Sequence, residues 1–569
     1  MENIDFLKTL IEKKILWEVD VFFAKNLLKD YESTFSNKIF LSYLFAISRL
    51  GHLYLEVDQE IYPSVEIFED FIEEDISEYI KELKNHLLQG KTIPEGLYDE
   101  GVDNPLFKVE NKFYLQRNYF FESSIIKNLK IFAKQLPVPI VDGNLFLKKA
   151  KLLLEEKILL KKQYESLLSS LTNSLTVISG GPGTGKTYTA KYLVKTFAES
   201  FSLSDRKFIV TLAAPTGKAT TNLYEKVNCF FAGSEDIILQ KMTLHSLLKI
   251  RKNKNTSFQK DSINSDLVIV DEASMIDIKI MAYLLESLNK GSRLVLIGDS
   301  DQLPPVESGN IFFDLSKNLN SNNVVSLDIS KRYGKSIIEL AESVKLGDVA
   351  KLFSLCSKNE NMKMLFNKDG LEEIFAFANK HYNFISNHKF SSDDILKQLS
   401  LAKILSCKKV GYLGVNFINE KIYEEFSKRL LIGQYLAIPI IITKNSYSLN
   451  LFNGQIGVLI TQYNNTKKGN SLLSDIAYFE NGISYPSYML PSFDLAYCLS
   501  VHKSQGSEYD DVLLLVPPKS EVLGREVLYT AITRVKNRIT IIGQKEVIAN
   551  TINRHIKRTS GFTKLKLTE

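Results

Sequence analysis

The chain has 569 residues, 44% hydrophobic and 24% charged, with a net charge of +5; this composition excludes disordered, collagen-like and low-complexity architectures, and the length suggests about three to five domains. Four cysteines (Cys229, Cys356, Cys407, Cys498) lie far apart with no C-x-x-C pair, which excludes a zinc knuckle or disulfide framework and points to a reducing, cytoplasmic setting. The charge is uneven: residues 1–100 carry 10 Lys+Arg and 21 Asp+Glu, or −11, leaving +16 on the rest, so a leading segment that repels phosphates precedes a body that attracts them. The longest apolar run, near 436–442, is far short of the roughly 18–20 residues a membrane span needs, and the start, Met-Glu-Asn-Ile-Asp, has no signal-peptide character.

In chain order, residues 1–60 read as helical, with Phe6, Leu10, Ile11, Ile15, Phe22, Phe23, Leu27 and Leu28 at helix spacing. The acidic run 66–82 predicts a helix with one solvated face. Gly and Pro at 90–105 mark loops. Lys112–Leu115 predicts a short strand, followed by a helix from about Glu122. From about residue 172, short apolar runs alternate with longer amphipathic stretches: 175–179, 208–213, Leu267–Val270 and 294–297, then 512–516 and 539–542. This pattern predicts two α/β domains with parallel sheets covered by helices. The runs 438–443, 457–462 and Ile476–Phe479, separated by Asn453-Gly454, 464–470 and Asn481-Gly482, predict a small all-β insert.

The run 175–179 leads into Gly180, Gly181, Pro182, Gly183, Thr184, Gly185, Lys186 and Thr187, then a helix-compatible stretch. This G-x-x-x-x-G-K-T pattern in a strand–loop–helix context predicts a nucleoside triphosphate site. Its glycines let backbone N–H groups curl around phosphate oxygens, and the helix start adds its dipole. Lys186 supplies charge to the β- and γ-phosphates, and Thr187 a hydroxyl for Mg²⁺. Asp271 and Glu272 end the strand Leu267–Val270, where ligands bind in an open α/β sheet. Asp271 is the second Mg²⁺ candidate and Glu272 the residue to orient and deprotonate the attacking water. A carboxylate pair commonly just caps a helix, but after a phosphate loop and at a strand end the catalytic role is favoured. Gln302, in the loop 298–306, is placed to sense the γ-phosphate.

These blocks, taken with others in order, resemble superfamily 1 helicases, and within them the RecD family, the alpha subunits of RecBCD exonuclease V complexes. Gln163, 17 residues before Gly180, matches the adenine-reading glutamine. There follow Ala214-Pro-Thr-Gly-Lys-Ala, Thr243-Leu-His-Ser-Leu-Leu, Asp271-Glu-Ala-Ser-Met-Ile-Asp, Gly298-Asp-Ser-Asp-Gln-Leu, 327–332, Asn445 with 451–457, Val501-His-Lys-Ser-Gln-Gly-Ser-Glu and Leu528-Tyr-Thr-Ala-Ile-Thr-Arg-Val. The resemblance implies an α/β fold with two RecA-like motor domains, a small helical N-terminal domain and a small SH3-like β insert. It implies the division 1–120 (partner docking), 140–322 (first motor, with a short insert at 249–263 where the family carries a β-hairpin pin), 323–430 with 490–569 (second motor) and 431–489 (the β insert). Arg332 and Arg534, two of only 12 arginines, are implied to reach the γ-phosphate when the cleft closes. Gln505 and Glu508 are implied to sense nucleotide. Thr216, Lys218, Thr243, His245, His502, Lys503 and Ser504 are implied DNA contacts, mainly to phosphates.

The function implied is an ATP- and Mg²⁺-dependent 5′→3′ DNA helicase. It would act with RecB- and RecC-like subunits on single strands and duplex ends in double-strand-break repair, without a membrane. The first 150 residues lack the helix-hairpin-helix repeats of stand-alone relatives, and no nuclease carboxylate set is evident. A stand-alone helicase, and a structural subunit with a vestigial ATPase, remain the alternatives; intact Lys186, Thr187, Asp271, Glu272, Arg332 and Arg534 oppose the latter.

Overall fold

The computed structural model describes all residues except 1–2, 66, 69–76, 99–103, 135–136, 139, 203–205, 232–235, 251–261, 329–334, 367–369, 389, 447, 464–474 and 565–569. The first 120 residues are less helical than their periodicity suggests. Helices span Asn3–Glu12, Glu18–Leu27, Phe35–Arg49 and Ser77–Gly90. Strands β1 (Tyr54–Val57), β2 (Ile61–Tyr62), β3 (Leu106–Val109) and β4 (Lys112–Leu115) form an antiparallel sheet in the order β2-β1-β4-β3. The expected helix over 1–60 therefore ends at Arg49, and Tyr54, Leu55 and Val57 give a buried strand instead. The next helix starts at Gln116, straight out of β4, not at Glu122. It packs on helix Ile278–Ser287, with Phe121 and Tyr283 edge to face at 5.6 Å.

The first large sheet is wholly parallel. It contains β5 (Leu175–Gly180), β6 (Phe208–Ala214), β7 (Ile237–Thr243), β8 (Leu267–Val270), β9 (Arg293–Gly298) and β10 (Val324–Leu327), in the order β10-β5-β9-β8-β6-β7. Alternate residues feed two cores: Val177, Val268, Val270, Leu294 and Leu296 face one, and Ile178, Leu267, Ile269, Val295 and Ile297 the other. This double burial explains the unbroken apolar runs. From β5 the chain crosses towards β6, and from β9 towards β10 on the opposite side. A crevice therefore opens at the carboxyl ends of these adjacent strands, the place where such sheets bind ligands.

Further along lie β11 (Met362–Leu365), β12 (Ile385–Ser386), β13 (Ala402–Ser406), β14 (Tyr435–Ile442), β15 (Ile456–Gln462), β16 (Ile476–Phe479), β17 (Ser484–Pro486), β18 (Phe493–Leu495), β19 (Cys498–Ser500), β20 (Tyr509–Val516) and β21 (Val535–Gly543). A second parallel sheet runs β11-β21-β20-β13-β19. The remaining strands form an antiparallel sheet, β12-β14-β15-β16-β17, with β18 following β12 along the same side of β14. This sheet recruits β12 and β18 from outside 431–489. Its Leu436, Ile438 and Val458 share a core with Ile404, Leu513 and Leu515 of the parallel sheet. The fold is thus α/β, with two RecA-like parallel sheets. Among the described residues no helix is long and apolar enough to cross a membrane.

After the last helix, Lys545–Asn553, the chain returns to the N-terminal sheet. Thr559 N–H donates to His52 Nδ1 (3.1 Å), Leu53 N–H to the Thr559 carbonyl (3.2 Å), and the Thr559 hydroxyl to the Tyr54 carbonyl (3.0 Å). Arg558 Nη1 donates to the carbonyls of Glu307 and Gly309, both at 2.8 Å. Phe562 is fully buried among residues of the first motor sheet. This strap ties the second motor to the first and to the N-terminal sheet. Phe562→Ala is expected to lower unfolding stability by about 3–5 kcal/mol, read from denaturant midpoints. Beside the strap, burial raises the Asp314 carboxyl from 3.8 to about 7. The folded chain holds this proton more tightly than the unfolded chain, so the associated stability is full below 3.8 and is lost as pH rises to about 7. Asp314→Asn should flatten the melting temperature across that window.

Candidate ATP and DNA site

Three loops leave neighbouring strand ends of the first parallel sheet: the phosphate loop after β5, Asp299 after β9, and Asp271-Glu272 after β8. Gly183 and Gly185 have φ of +73° and +86°, a backbone state that favours glycine. A Cβ at Gly185 would lie 2.4 Å from Gln163 Nε2. Gln163 caps the loop from behind: its Oε1 accepts from Leu160 N–H (3.0 Å) and its Nε2 donates to the Thr184 carbonyl (3.1 Å). The Lys186 ammonium folds back onto its own loop, donating to the carbonyls of Gly180 (2.7 Å) and Gly181 (3.0 Å).

The Thr187 hydroxyl donates to Asp271 Oδ2 at 3.4 Å, and Glu272 N–H donates to Asp271 Oδ1 at 2.9 Å. Glu272 is held at φ +53°, a strained state for a side chain of this size and one that tends to cluster at functional sites. Burial raises both carboxyl pKa values; the Asp271 charge adds to the rise at Glu272, while Arg534 and Lys186 oppose it. The two carboxylates are thus deeply desolvated and depend on cations from both motor domains.

The second domain supplies the other wall. Arg534, buried, donates to the carbonyls of Thr530 (3.2 Å) and Ser507 (3.4 Å) and to the Thr533 hydroxyl (3.2 Å). A cavity of about 820 Å³ is lined by Gln163, Lys186, Thr187, Asp271, Glu272 and Gln302 from one domain and by Glu508 and Arg534 from the other. Gln302 and Gln505 are buried, and among the described residues Gln302 Oε1 and Gln505 Nε2 have no hydrogen-bond partner. Buried amides normally find partners. The glycine cradle and the Lys186 ammonium fit a polyphosphate. The Thr187–Asp271 pair is oxygen-rich, as a hard cation with retained waters requires. Arg332 and most of the 249–263 insert lie outside the described residues.

Of the expected DNA contacts, Lys218 lines the same cavity as the phosphate loop, together with Gly506 of the second domain. Thr216 caps helix Gly217–Asn228 by accepting from Ala219 N–H (3.3 Å), and Thr243 caps Leu244–Leu247 by accepting from Ser246 N–H (3.3 Å). They sit at the ends of paired strands, where Ala214 is the partner of Thr243. Lys218 and His245 are exposed. A Cβ at Gly506 would lie 3.7 Å from Ala219 and 4.0 Å from Thr216, so the two domains' loops meet here. Lys503 is exposed and pairs with Asp494 at 3.6 Å. Ser504 is fully buried and donates to the Val501 carbonyl (2.7 Å), so its hydroxyl holds the turn and does not face out. Burial, and then the nearby Arg558 charge, lower the His502 pKa.

Contacts between the motor domains escaped the motif reading. Leu303 N–H donates to the Thr530 hydroxyl (2.8 Å), the Tyr529 hydroxyl donates to Asp299 Oδ2 (3.1 Å), and Lys345 pairs with Asp301 at 2.7 Å. No periodicity could reveal them, because each joins segments more than 40 positions apart.

Residues 163–308 match the model of an AAA domain, and residues 495–542 that of a UvrD-like helicase C-terminal domain. The RecBCD enzyme subunit RecD of Mycolicibacterium smegmatis is 33% identical over 414 residues, covering 69% of this chain and 73% of that protein. The chain belongs to the RecD family. The RecBCD enzyme subunit RecD of Buchnera aphidicola subsp. Schizaphis graminum is 28% identical, over 96% of this chain and 98% of its own. Among solved structures, that of forked-duplex unwinding by two coordinating Pif1 helicases is 18% identical, with a TM-score of 0.39, over 68% of this chain and 93% of that one. A chain of this family with this domain binds a nucleotide. Gln163→Ala should leave a buried carbonyl unpaired behind that loop, costing about 1–3 kcal/mol in chemical denaturation and weakening binding of a fluorescent ATP analogue.

Proposed function

We propose that this chain is the ATP-dependent 5′→3′ DNA helicase and translocase subunit, the alpha subunit, of a RecBCD-type exonuclease V. It would act on duplex ends in double-strand-break recombinational repair and in degradation of linear duplex DNA. The observation that carries this is the cleft itself: phosphate loop, carboxylate pair and Arg534 converge from two separate parallel sheets. A γ-phosphate bound there bridges the domains, and its loss uncouples them. Lys186 must leave the carbonyls of Gly180 and Gly181 to meet that phosphate. Glu272 lies beside the cations that oppose its protonation, placed to take a proton from the attacking water, and Arg534 to stabilise charge on the transferring group. Arg332 is assigned the same task by resemblance. Thr187 and Asp271 would hold Mg²⁺, whose charge neutralises the phosphates. Gln163 is assigned the adenine, and Gln505 and Glu508 sense nucleotide from the second domain.

Opening and closing of this cleft would shift Thr216, Lys218, Thr243 and His245 of one domain against His502 and Lys503 of the other. A strand held there by its phosphates is drawn through, whatever its sequence. Residues 140–322 and 323–430 with 490–569 serve as the motors, and 431–489 as an SH3-like insert. Residues 1–120 dock on RecB- and RecC-like partners in the cytoplasm. Trp17 (51% exposed), Phe22 (62%) and Phe23 (48%) supply apolar area for that contact.

Lys186→Gln is expected to abolish DNA-stimulated ATP hydrolysis; undiminished hydrolysis would refute the site. Strand displacement on 5′-tailed but not 3′-tailed duplexes tests polarity, and co-purification of partner chains from native extract tests the subunit assignment.

A further inference from the structure

Asp299 stands at the centre of a small buried network joining the motor domains. Its Oδ1 accepts from Asp301 N–H (3.1 Å), and its Oδ2 accepts from both Gln302 Nε2 (3.1 Å) and the Tyr529 hydroxyl (3.1 Å). Burial raises the pKa of this carboxyl, and the Lys186 charge and the hydrogen bonds from Asp301 N–H and Gln302 oppose that rise. The Oδ2 atom that accepts from Tyr529 thus also takes the NH₂ end of the Gln302 amide. Gln302 lines the cavity, and among the described residues its amide oxygen is buried and has no hydrogen-bond partner. Gln302 therefore offers an acceptor to the ATP cavity, which suits a water proton and does not suit a phosphate oxygen.

Tyr529 comes from the other domain. It lies on helix Gly524–Ile532 and is only 4% exposed. Its hydroxyl also lies against the phosphate loop, 3.1 Å from where a Cβ at Gly181 would sit. The next residue, Thr530, receives Leu303 N–H through its hydroxyl and Arg534 Nε through its carbonyl. Two consecutive residues of one helix thus grip the Gln302-Leu303 turn and anchor the arginine.

We propose that Tyr529 is a positioning residue: through Asp299 it fixes the Gln302 amide with its oxygen towards the attacking water, and it does so only when the second motor domain is docked. Domain closure would then complete the water site as well as deliver Arg534. The proposal rests on the ATPase assignment of the cleft.

The test uses the full-length chain, with any subunits that co-purify, in DNA-stimulated steady-state hydrolysis. Tyr529→Phe removes one O–H. It should lower kcat about tenfold and leave KM for ATP within about twofold, with an unchanged melting temperature. Asp299→Asn reverses the donor pattern and should lose kcat in the same way. The Tyr529→Phe, Gln302→Ala double variant should be no slower than Gln302→Ala alone, because both changes act on one water contact. A wild-type kcat in Tyr529→Phe, or losses that multiply in the double variant, would overturn the proposal. Lys186→Gln in parallel separates the two levels: hydrolysis surviving that change sinks the ATPase assignment itself, whereas its loss together with an unaffected Tyr529→Phe sinks only the Tyr529 role.

Discussion

Two desolvated carboxylates, Asp271 and Glu272, sit side by side at the end of β8, and the architecture around them answers the cost of that burial. Burial raises both pKa values, and the rise is opposed at Asp271 by the Glu272 N–H and at both by cations. Lys186 comes from the first domain and Arg534 from the second. The pair is thus electrostatically complete only while two sheets, each with its own core, are held face to face. Chemistry and domain geometry are the same variable here, which is what a motor needs.

The motifs that make this cleft were legible because each is a local string at a strand end, where apolar run, glycine loop and polar terminus follow one another. The strands β5, β6, β8, β9, β20 and β21 were visible for the same reason. The N-terminal sheet was not: helix spacing in the first 28 residues carried over into a stretch where Leu53, Tyr54 and Leu55 bury consecutive side chains. Strand β13 was hidden by Lys403, which breaks its apolar run yet is fully buried. Its ammonium donates to the Ala496 carbonyl at 3.3 Å and lies 5.6 and 6.0 Å from the ring centres of Tyr382 and Tyr509. Burial lowers its pKa to about 7. A lysine in a strand normally signals a solvated face, so the rule fails where aromatic faces replace water. β19, with three residues, is too short for any pattern.

The partition of work between the amides in the cleft was equally out of reach. Motif and resemblance put Gln302 and Gln505 in the cleft, but not which amide end is bonded: the Gln302 NH₂ is taken by Asp299, which itself accepts from Tyr529, 230 positions away. Such identities are settled by packing between domains.

The strap from Arg554 to Phe562 has a consequence for how the chain reaches this state. His52 and Thr559 bond across 507 positions. The entropic cost of so large a loop grows only with the logarithm of its length, so the equilibrium tolerates it, whereas the time needed to find the contact does not shorten in proportion. On the ribosome the N-terminal sheet is made first and its last neighbour arrives more than five hundred residues later. At about 5–20 residues per second, that contact waits about 25–100 s, open to a chaperone or to a partner chain before the molecule closes on itself.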